Sequence, residues 1–128
     1  MRIFNGTTHE INIYNIADCY EIQGGRKLVR KPDSSPIYTV PPGTNLNARK
    51  GNRPAPELNV PFEIRGAAIF ESYDTIPEEF DLIIVSQLFR AAVIELGGDT
   101  SKLAVIDGAV YSDETAVRPC GCTALAVG

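Results

Sequence analysis

Few residues in this chain of 128 have the types and spacing that catalysis requires. The single histidine, His9, stands beside Glu10 at the start of a strand-like run, where an Asn-Gly turn and two threonines favour a structural role. The adjacent acidic pairs Glu78-Glu79 and Asp113-Glu114 are typical of a solvated surface. No Gly-x-Ser-x-Gly, Walker-type, His-Glu-x-x-His or Gly-x-Gly-x-x-Gly motif occurs. The sequence therefore favours a protein that is not an enzyme.

The three cysteines are the clearest candidates for metal ligands. Cys120 and Cys122, with Cys19 and His9, could bind zinc, but their one-residue spacing differs from the usual chelate loop. Three cysteines are also too few, and odd in number, for the disulfide framework of a small secreted protein. We therefore expect neither a metal nor a cofactor.

The sequence contains better candidates for anion binding than for catalysis. Phe89 and Arg90 fall near the start of a predicted helix, whose free N–H groups attract anions, and arginine binds phosphate bidentately. Phe89 could stack on a base, although a core position for Phe89 and a solvated one for Arg90 fit the sequence equally well. Arg118, which precedes Pro119 and has no acid nearby except Glu114, is a second candidate anion ligand.

The distribution of charge limits the partners. The formal net charge of −4 disfavours non-specific attraction to duplex nucleic acid. Seven of the twelve cations nevertheless lie between Arg26 and Arg53, accompanied by one acid, Asp33. This basic segment is either a pair of solvated loops or a local anion site.

The bulk composition indicates one domain, residues 1–128, because 44% apolar residues in a chain of this length can form one small core. No apolar run is long enough to span a membrane, and the given sequence starts without a signal or targeting pattern. We therefore expect a cytoplasmic protein that does not bind membranes.

The residues that would position the anion ligands form a strand, a cap and a helix. Residues 82–85 are an apolar, β-branched run typical of a central strand. Ser86 is a good N-cap, and the following residues have helical periodicity until Gly97-Gly98. The sequence predicts a helix over about 86–96.

The other elements are predicted as short strands. Gly24-Gly25 and Asp107-Gly108 each indicate a tight hairpin turn. Residues 11–14 and 36–40 alternate as strands, and two strand segments are expected about Gly66, with Phe62, Ile64 and Ile69 competing for the core. Residues 45–56 are predicted as a loop and the last apolar run as an edge strand. The predicted fold is α+β, mainly antiparallel hairpins with one short helix.

Two stretches, "NGTTHEINIY" and "LIIVSQLFRAAV", carry a resemblance to a known family. The first is similar to the Asn-x-Thr-x-His-x-Ile start of small phage and prophage proteins, and the second to the strand-Ser-helix segment that follows in them. With its length and the closing hairpin predicted at Asp107-Gly108, the chain resembles the first class of Thoeris anti-defence proteins. These phage proteins bind cyclic ADP-ribose isomers at subunit interfaces without cleaving them, and related hexameric members also bind cyclic oligonucleotides in separate sites.

The resemblance implies roles for particular residues. Phe89 would stack on the base, Asp99 would contact a ribose or adenine edge, and Arg118 would bind phosphate. Arg90 would be a further contact, and Arg26 or Arg65 would belong to a second site. Asp99 departs from the neutral Asn expected there, since a carboxylate repels a pyrophosphate unless it faces a ribose hydroxyl.

These observations predict a protein that sequesters a cyclic nucleotide immune signal in the cytoplasm of an infected or lysogenic bacterial host. Burial of exposed strand edges favours a homo-oligomer, a dimer or a hexamer. Two alternatives stay open. A small structural phage protein would also lack catalytic residues, and a metal-dependent nucleotide hydrolase could use Asp81, Asp99 or Glu78-Glu79.

Overall fold

The apolar run at residues 82–85 lies at the centre of the molecule, as its unbroken hydrophobic character predicts. Ile83, Ile84 and Val85 are at most 2% exposed. The computed structural model describes residues 1–128 and contains ten strands and one α-helix. These are β1 (Ile3–Asn5), β2 (Ile11–Ile13), β3 (Cys19–Ile22), β4 (Lys27–Arg30), β5 (Tyr38–Val40), β6 (Ala48–Asn52), β7 (Ala68–Tyr73), β8 (Leu82–Ile84), α1 (Gln87–Glu95), β9 (Leu103–Tyr111) and β10 (Gly121–Val127).

Eight strands form one sheet, in the order β1-β8-β9-β10-β2-β5, with β4 also paired to β9 and β3 paired to β4. The pairs β9–β10, β2–β5 and β3–β4 are antiparallel, while β1–β8, β8–β9, β4–β9 and β10–β2 are parallel. β6 and β7 form a separate antiparallel pair. The predicted α+β class with antiparallel hairpins is confirmed, whereas the parallel pairs join strands distant in sequence and were not predicted.

The sheet curls so that its outer strands β1 and β5 lie beside each other. The side chain of Asn5 donates to the carbonyl of Val40 over 3.3 Å, and the N–H of Gly43 donates to the carbonyl of Asn5 over 2.8 Å. Asn5 and Val40 are both buried. The end of β1 is therefore enclosed by the sheet, which limits the directions that the loop after β1 can take.

The predicted strand-cap-helix segment is confirmed. Ser86 is the N-cap of α1, and its hydroxyl accepts a hydrogen bond from the N–H of Phe89 over 3.1 Å. The helix ends at Glu95, and Gly97 follows with a φ of 75°, a conformation that glycine adopts without strain.

The helix covers one face of β8 and β9. A cluster of seven buried residues holds the three elements together: Leu46, Ile83, Val85, Phe89, Val93, Leu103 and Val105. The members from the strands alternate in sequence, and the two from α1 are four residues apart, as packing of a strand face against a helix face requires. This core fixes the start of α1 against the end of β8.

The predicted hairpin at Gly24-Gly25 is confirmed, since Ile22 of β3 pairs with Lys27 of β4. Its connection has four residues rather than two, and Gln23, Gly24 and Gly25 all have positive φ angles.

Two other predictions are wrong. Residues 45–56 were expected to be a loop, but they include β6, whose polar sequence is held in a strand by antiparallel pairing with the more apolar β7. Asp107-Gly108 does not form a hairpin turn. It lies within the continuous strand β9, which pairs with β10 on both sides of Gly108, and Gly108 has a φ of 64° inside that strand.

The region about Gly66 also differs from the prediction. Only β7, after Gly66, is a strand, and Ile69 is half-buried in it. Phe62 is 64% exposed and Ile64 lies outside the core cluster, so neither has the core position predicted for it. The last apolar run forms β10 as expected, but its first half lies between β9 and β2 rather than at an edge.

The nine-residue helix α1 is too short to cross a lipid bilayer, and the fold contains no other α-helix.

Candidate functional site

A cleft of about 430 Å³ opens where β1 and β8 end. These strands are parallel, so their carboxyl ends lie at the same edge of the sheet, and Thr7 and Ser86 follow them directly into the cleft. The other lining residues are His9, Glu10, Ile11, Asn12, Val85, Gln87, Val105, Ile106, Arg118, Pro119, Cys120 and Gly121. Its volume lies within the range of small-molecule sites, which occur at such strand ends in mixed folds.

The loop between β1 and β2 forms one wall of the cleft and is held by the side chain of Asn5. Its amide donates to the carbonyl of His9 over 2.8 Å, and its oxygen accepts from the N–H of Thr7 over 2.9 Å and from the hydroxyl of Thr7 over 2.6 Å. The Asn-x-Thr-x-His pattern is thus a set of local contacts that shapes this loop.

Gly6 lets the same loop pass close to β8. Its N–H donates to the carbonyl of Ile84 over 2.8 Å. A Cβ at this position would lie 2.8 Å from the side chain of Leu46 and 3.0 Å from the carbonyl oxygen of Ile84. Any larger residue would therefore push this wall of the cleft outward.

The lining of the cleft also includes the start of α1. Ser86 and Gln87 line it, and the first N–H groups of an α-helix have no acceptor within the helix. Because these groups carry the positive end of the helix dipole, the start of α1 favours a negatively charged group in the cleft.

Several polar side chains on the cleft make no hydrogen bond or ion pair within the chain. Thr7 and Asn12 are committed to internal hydrogen bonds, with Asn12 accepting from the hydroxyl of Thr39 over 2.9 Å. In contrast, no such bond involves the side chain of His9, Glu10, Gln87 or Arg118. Uncommitted polar groups around apolar surface are the usual composition of a ligand site.

Arg118 provides the cleft with its positive charge. It is exposed, and the two ion pairs of the structure, Arg49–Asp74 and Arg65–Glu63, lie elsewhere. Glu10 is the acidic residue of the lining, so the cleft does not share the net negative charge of the chain. A free guanidinium on the same cleft as a helix N-terminus is suited to a phosphate.

Two of the three cysteines, Cys19 and Cys122, are poorly placed for nucleophilic chemistry. Burial raises the pKa of the thiols of Cys122 and Cys19, which keeps both in the neutral form at pH 7. Cys120 lines the cleft, and its sulfur lies 4.0 Å from the hydroxyl of Tyr14. Burial, followed by the neighbouring Cys120, raises the pKa of Tyr14. All three cysteines are free, and no three His, Cys, Asp or Glu side chains lie close enough together to hold a metal ion.

Phe89 does not reach the cleft. It is 1% exposed, belongs to the core cluster and meets the ring of Tyr73 edge to face at a centroid distance of 5.7 Å. This burial contradicts the predicted stacking role, because no base can approach the face of its ring. A core position for Phe89 was the alternative that the sequence also allowed, and its tertiary packing agrees with that alternative.

The other predicted contacts from the helix region are also separate from the cleft. Arg90 donates to the main-chain carbonyl of Gly128. Asp99 is exposed and accepts a hydrogen bond from the N–H of Ser101 over 2.9 Å, which lowers the pKa of its carboxyl group. Neither residue lines the cleft, so of the four residues predicted for the primary site only Arg118 does.

The residues suggested for a second site do not come together. Arg26 is exposed in the turn between β3 and β4, and Arg65 pairs with Glu63 over 2.9 Å. The basic segment is largely engaged in structural contacts. Lys27 donates to the carbonyls of Glu114 and Ala116, Arg30 to that of Ser34 and Lys31 to that of Ala17, while Arg49 pairs with Asp74 and Lys50 lies over the ring of Phe70. The segment therefore forms no single anion site.

Most of the cleft is not predictable from the sequence. The pattern around residues 5–9 predicts a structural role for His9 and Thr7, and it gives no binding role to Asn12 or Gln87. The one signal that could have found the cleft residues of this loop is the Asn-x-Thr-x-His pattern directly after a strand, because polar residues at a strand end often line a site.

Comparisons of the chain with models of known protein families, with curated proteins and with solved structures found no match.

Proposed function

We propose that this protein binds a small anionic nucleotide in the cleft and holds it without cleaving it. The observation that carries the proposal is the position of Arg118, exposed and unpaired on the same cleft as the first residue of α1. Both the guanidinium and the helix N-terminus favour a phosphate, and together they do so more strongly than either alone.

The rest of the lining suits a base and a sugar. Ile106 and Pro119 are exposed and supply apolar surface that a base could lie against, whereas Val85 and Val105, at most 7% exposed, add little. The uncommitted side chains of His9 and Gln87 can donate to or accept from base edges and ribose hydroxyls. A nucleotide therefore finds complementary groups for each of its parts.

The absence of an activated nucleophile supports binding over hydrolysis. The hydroxyl of Ser86 is used to cap the helix, and it has no hydrogen bond to a histidine or carboxylate. Activation of a serine or cysteine needs an adjacent base, which geometry must place within hydrogen-bond reach.

The biological form of this proposal is a phage-type anti-defence protein that sequesters a cyclic ADP-ribose isomer in an infected bacterial cell. It is supported by the resemblance of the opening and strand-helix stretches to the first class of Thoeris anti-defence proteins. Cyclic di- or trinucleotides are further ligands implied by that resemblance. A sequestering protein removes a signal only if its sites exceed both the signal concentration and the dissociation constant, so we expect tight binding.

The test is calorimetry of the purified protein with cyclic ADP-ribose isomers and with cyclic oligonucleotides, followed by heat denaturation and chromatography of the released ligand. Tight binding with recovery of the intact ligand is the expected result. Altered ligand would replace the proposal with an enzyme, and no binding to any of these nucleotides would favour a structural phage protein.

A further inference from the structure

The pair Asp107-Gly108, whose sequence is typical of a turn, has a special local geometry within β9. Asp107 pairs with Ala124 and Ala109 pairs with Cys122, whereas Gly108 between them has no paired residue in β10. The N–H of Gly108 donates to the side-chain carboxylate of Asp107 over 2.9 Å. The main-chain nitrogen of Gly108 therefore lies against the carboxyl group of the residue before it.

This contact places two groups that can react with each other side by side. A bond between the nitrogen of Gly108 and the carboxyl carbon of Asp107 would close a five-membered ring. Groups held about 3 Å apart react far more readily than groups that must first find each other. Gly108 has no side chain to hinder the ring, and Asp107 is exposed, so water reaches the product.

We infer that Asp107 is a site of spontaneous isomerisation to isoaspartate in the folded protein. The nitrogen of Gly108 attacks the carboxyl carbon of the neutral acid, so that an N–C bond forms and the C–O bond to the hydroxyl breaks. The amide proton leaves with that hydroxyl as water, and a cyclic imide remains. Addition of water to the side-chain carbonyl restores aspartate. Addition to the main-chain carbonyl of Asp107 leaves the chain running through its Cβ, which is isoaspartate.

The pair Asn5-Gly6 shows how the fold selects the site. In an unfolded chain, asparagine before glycine forms the same imide faster than aspartate does, because an amide loses ammonia directly whereas a carboxylate must first be protonated. In the fold, Asn5 is 1% exposed and its amide donates to two main-chain carbonyls. The N–H of Gly6 donates to the carbonyl of Ile84. The fold therefore locks the pair that would otherwise react first and leaves Asp107-Gly108 reactive.

Two other aspartates serve as internal controls. Asp99 and Asp113 are exposed, and each accepts a hydrogen bond from a main-chain N–H. Their donors, Ser101 and Thr115, lie two residues further along the chain, and the residue directly after each aspartate carries a side chain. These contacts do not hold the adjacent nitrogen against the carboxyl group, as the contact at Asp107 does.

Isomerisation would alter a strand that borders the cleft. Isoaspartate adds one carbon atom to the main chain, so β9 would be longer between the residues that pair with Ala124 and Cys122. Both pairs cannot then keep their register with an unchanged β10. Ile106, next to the reacting residue, lines the cleft. Isomerised molecules are therefore expected to unfold at a lower temperature.

The first experiment is incubation of the folded protein at mildly acid pH in water enriched in heavy oxygen, followed by proteolysis in ordinary water and mass spectrometry. Opening of the imide adds one heavy oxygen whichever product forms, and fragmentation shows which residue carries it. Asp107 should take up the label at least about tenfold faster than Asp99 or Asp113 and should yield isoaspartate, while Asn5 should keep its amide. Equal labelling of the three aspartates, or no isoaspartate at position 107, would overturn the inference.

The second experiment tests whether the fold directs the reaction. In urea, Asn5 should lose its amide faster than Asp107 takes up the label, which is the reverse of the order in the folded protein. Asp107→Asn keeps the shape of the side chain and should lose its amide in the folded protein much faster than Asn5 does. Asp107→Glu keeps the charge but would need a six-membered ring, so position 107 should take up almost no label. The same order in urea and in the folded protein, or an amide in Asp107→Asn as stable as that of Asn5, would show that the local geometry does not direct the reaction.

Discussion

The amide nitrogen of Asn5 lies 2.8 Å from the main-chain oxygen of His9, so a single buried side chain links the end of β1 to the residues that precede β2. The same side chain accepts two hydrogen bonds from Thr7 and contacts the carbonyl of Val40. The Asn5 side chain therefore stabilises both the contact between β1 and β5 that closes the sheet and one wall of the cleft.

Replacement of Asn5 by alanine should destabilise the protein by about 2 to 4 kcal/mol, because several buried donors and acceptors lose their partner at once. Urea unfolding followed by circular dichroism measures this loss. Asn59→Ala, in the exposed 54–65 loop, is the control and should change the unfolding free energy by less than about 0.5 kcal/mol. Equal effects of the two changes would contradict the role given to Asn5.

Phe89 should behave as a core residue. Phe89→Ala should reduce the unfolding free energy by about 3 to 5 kcal/mol, the usual loss for a buried phenylalanine. Phe89→Leu keeps most of the packing and should leave nucleotide affinity nearly unchanged, which a stacking residue could not do. Leu88→Ala, at a half-exposed neighbouring position, is the stability control. A large loss of affinity in Phe89→Leu with unaltered stability would argue against the core assignment.

Arg118 should carry much of the affinity for an anionic ligand. Arg118→Ala should weaken nucleotide binding by about 1.5 to 3 kcal/mol, roughly ten- to a hundredfold, with no change in unfolding temperature. Arg118→Lys should recover part of the loss, since it keeps the charge but not the planar fork. Arg26→Ala is the matched control, because Arg26 is also exposed and unpaired but does not line the cleft. Calorimetry should find Arg26→Ala equal to the natural protein, and any other ranking would remove Arg118 from the site.

Ser86 allows stability and binding to be separated. Ser86→Ala removes the helix cap and should reduce the unfolding free energy by about 1 kcal/mol. Ser86→Asp keeps a good cap and so preserves stability, but it places a negative charge on the cleft and should weaken anion binding. Thermal unfolding and calorimetry of both variants measure the two effects. If Ser86→Asp bound the nucleotide as tightly as the natural chain, the anion would have to lie elsewhere.

Acid should destabilise the fold through three aspartates. Backbone N–H donors lower the pKa of Asp74, through Asn47, and of Asp99, through Ser101, while Thr115 lowers that of Asp113. A carboxyl group whose pKa is lower in the folded state stabilises the fold above its unfolded pKa, and this contribution is lost as the pH falls below about 4. Urea midpoints measured from pH 7 down to pH 3 should decrease, and Asp74→Asn should flatten the curve. A slope unaffected by this change would show that Asp74 does not contribute.

The strand-cap-helix segment could be predicted from sequence because each of its signals is local. Ser86 caps the helix through an atom three residues away, and the apolar run before it needs only to be buried. The same holds for the turn at Gly24-Gly25.

The errors arise where distant residues decide the structure. The polar strand β6 exists because β7 pairs with it, which no property of residues 48–52 reveals. Asp107-Gly108 has the signature of a turn, but β10 pairs with β9 on both sides of Gly108, and β4 pairs with β9 from Val110 onward, so the strand is continuous. Arg118 could be predicted from the sequence as an anion ligand. The residues that share the cleft with it could not be predicted, because only the folding of the whole sheet brings them together.

The position of β9 has a further consequence for the kinetics of folding. This strand pairs with β4, β8 and β10, and β8 in turn holds β1, with Ile3 opposite Leu82. Until residues 82 onward are in place, the strands from the first third of the chain can therefore form only the β2–β5 and β3–β4 pairs of the main sheet. Proteins dominated by such long-range pairings fold on the scale of about milliseconds to seconds. During synthesis, the strand β1 must wait for most of the chain before it can pair, and transiently exposed apolar strands of this kind favour aggregation and chaperone binding.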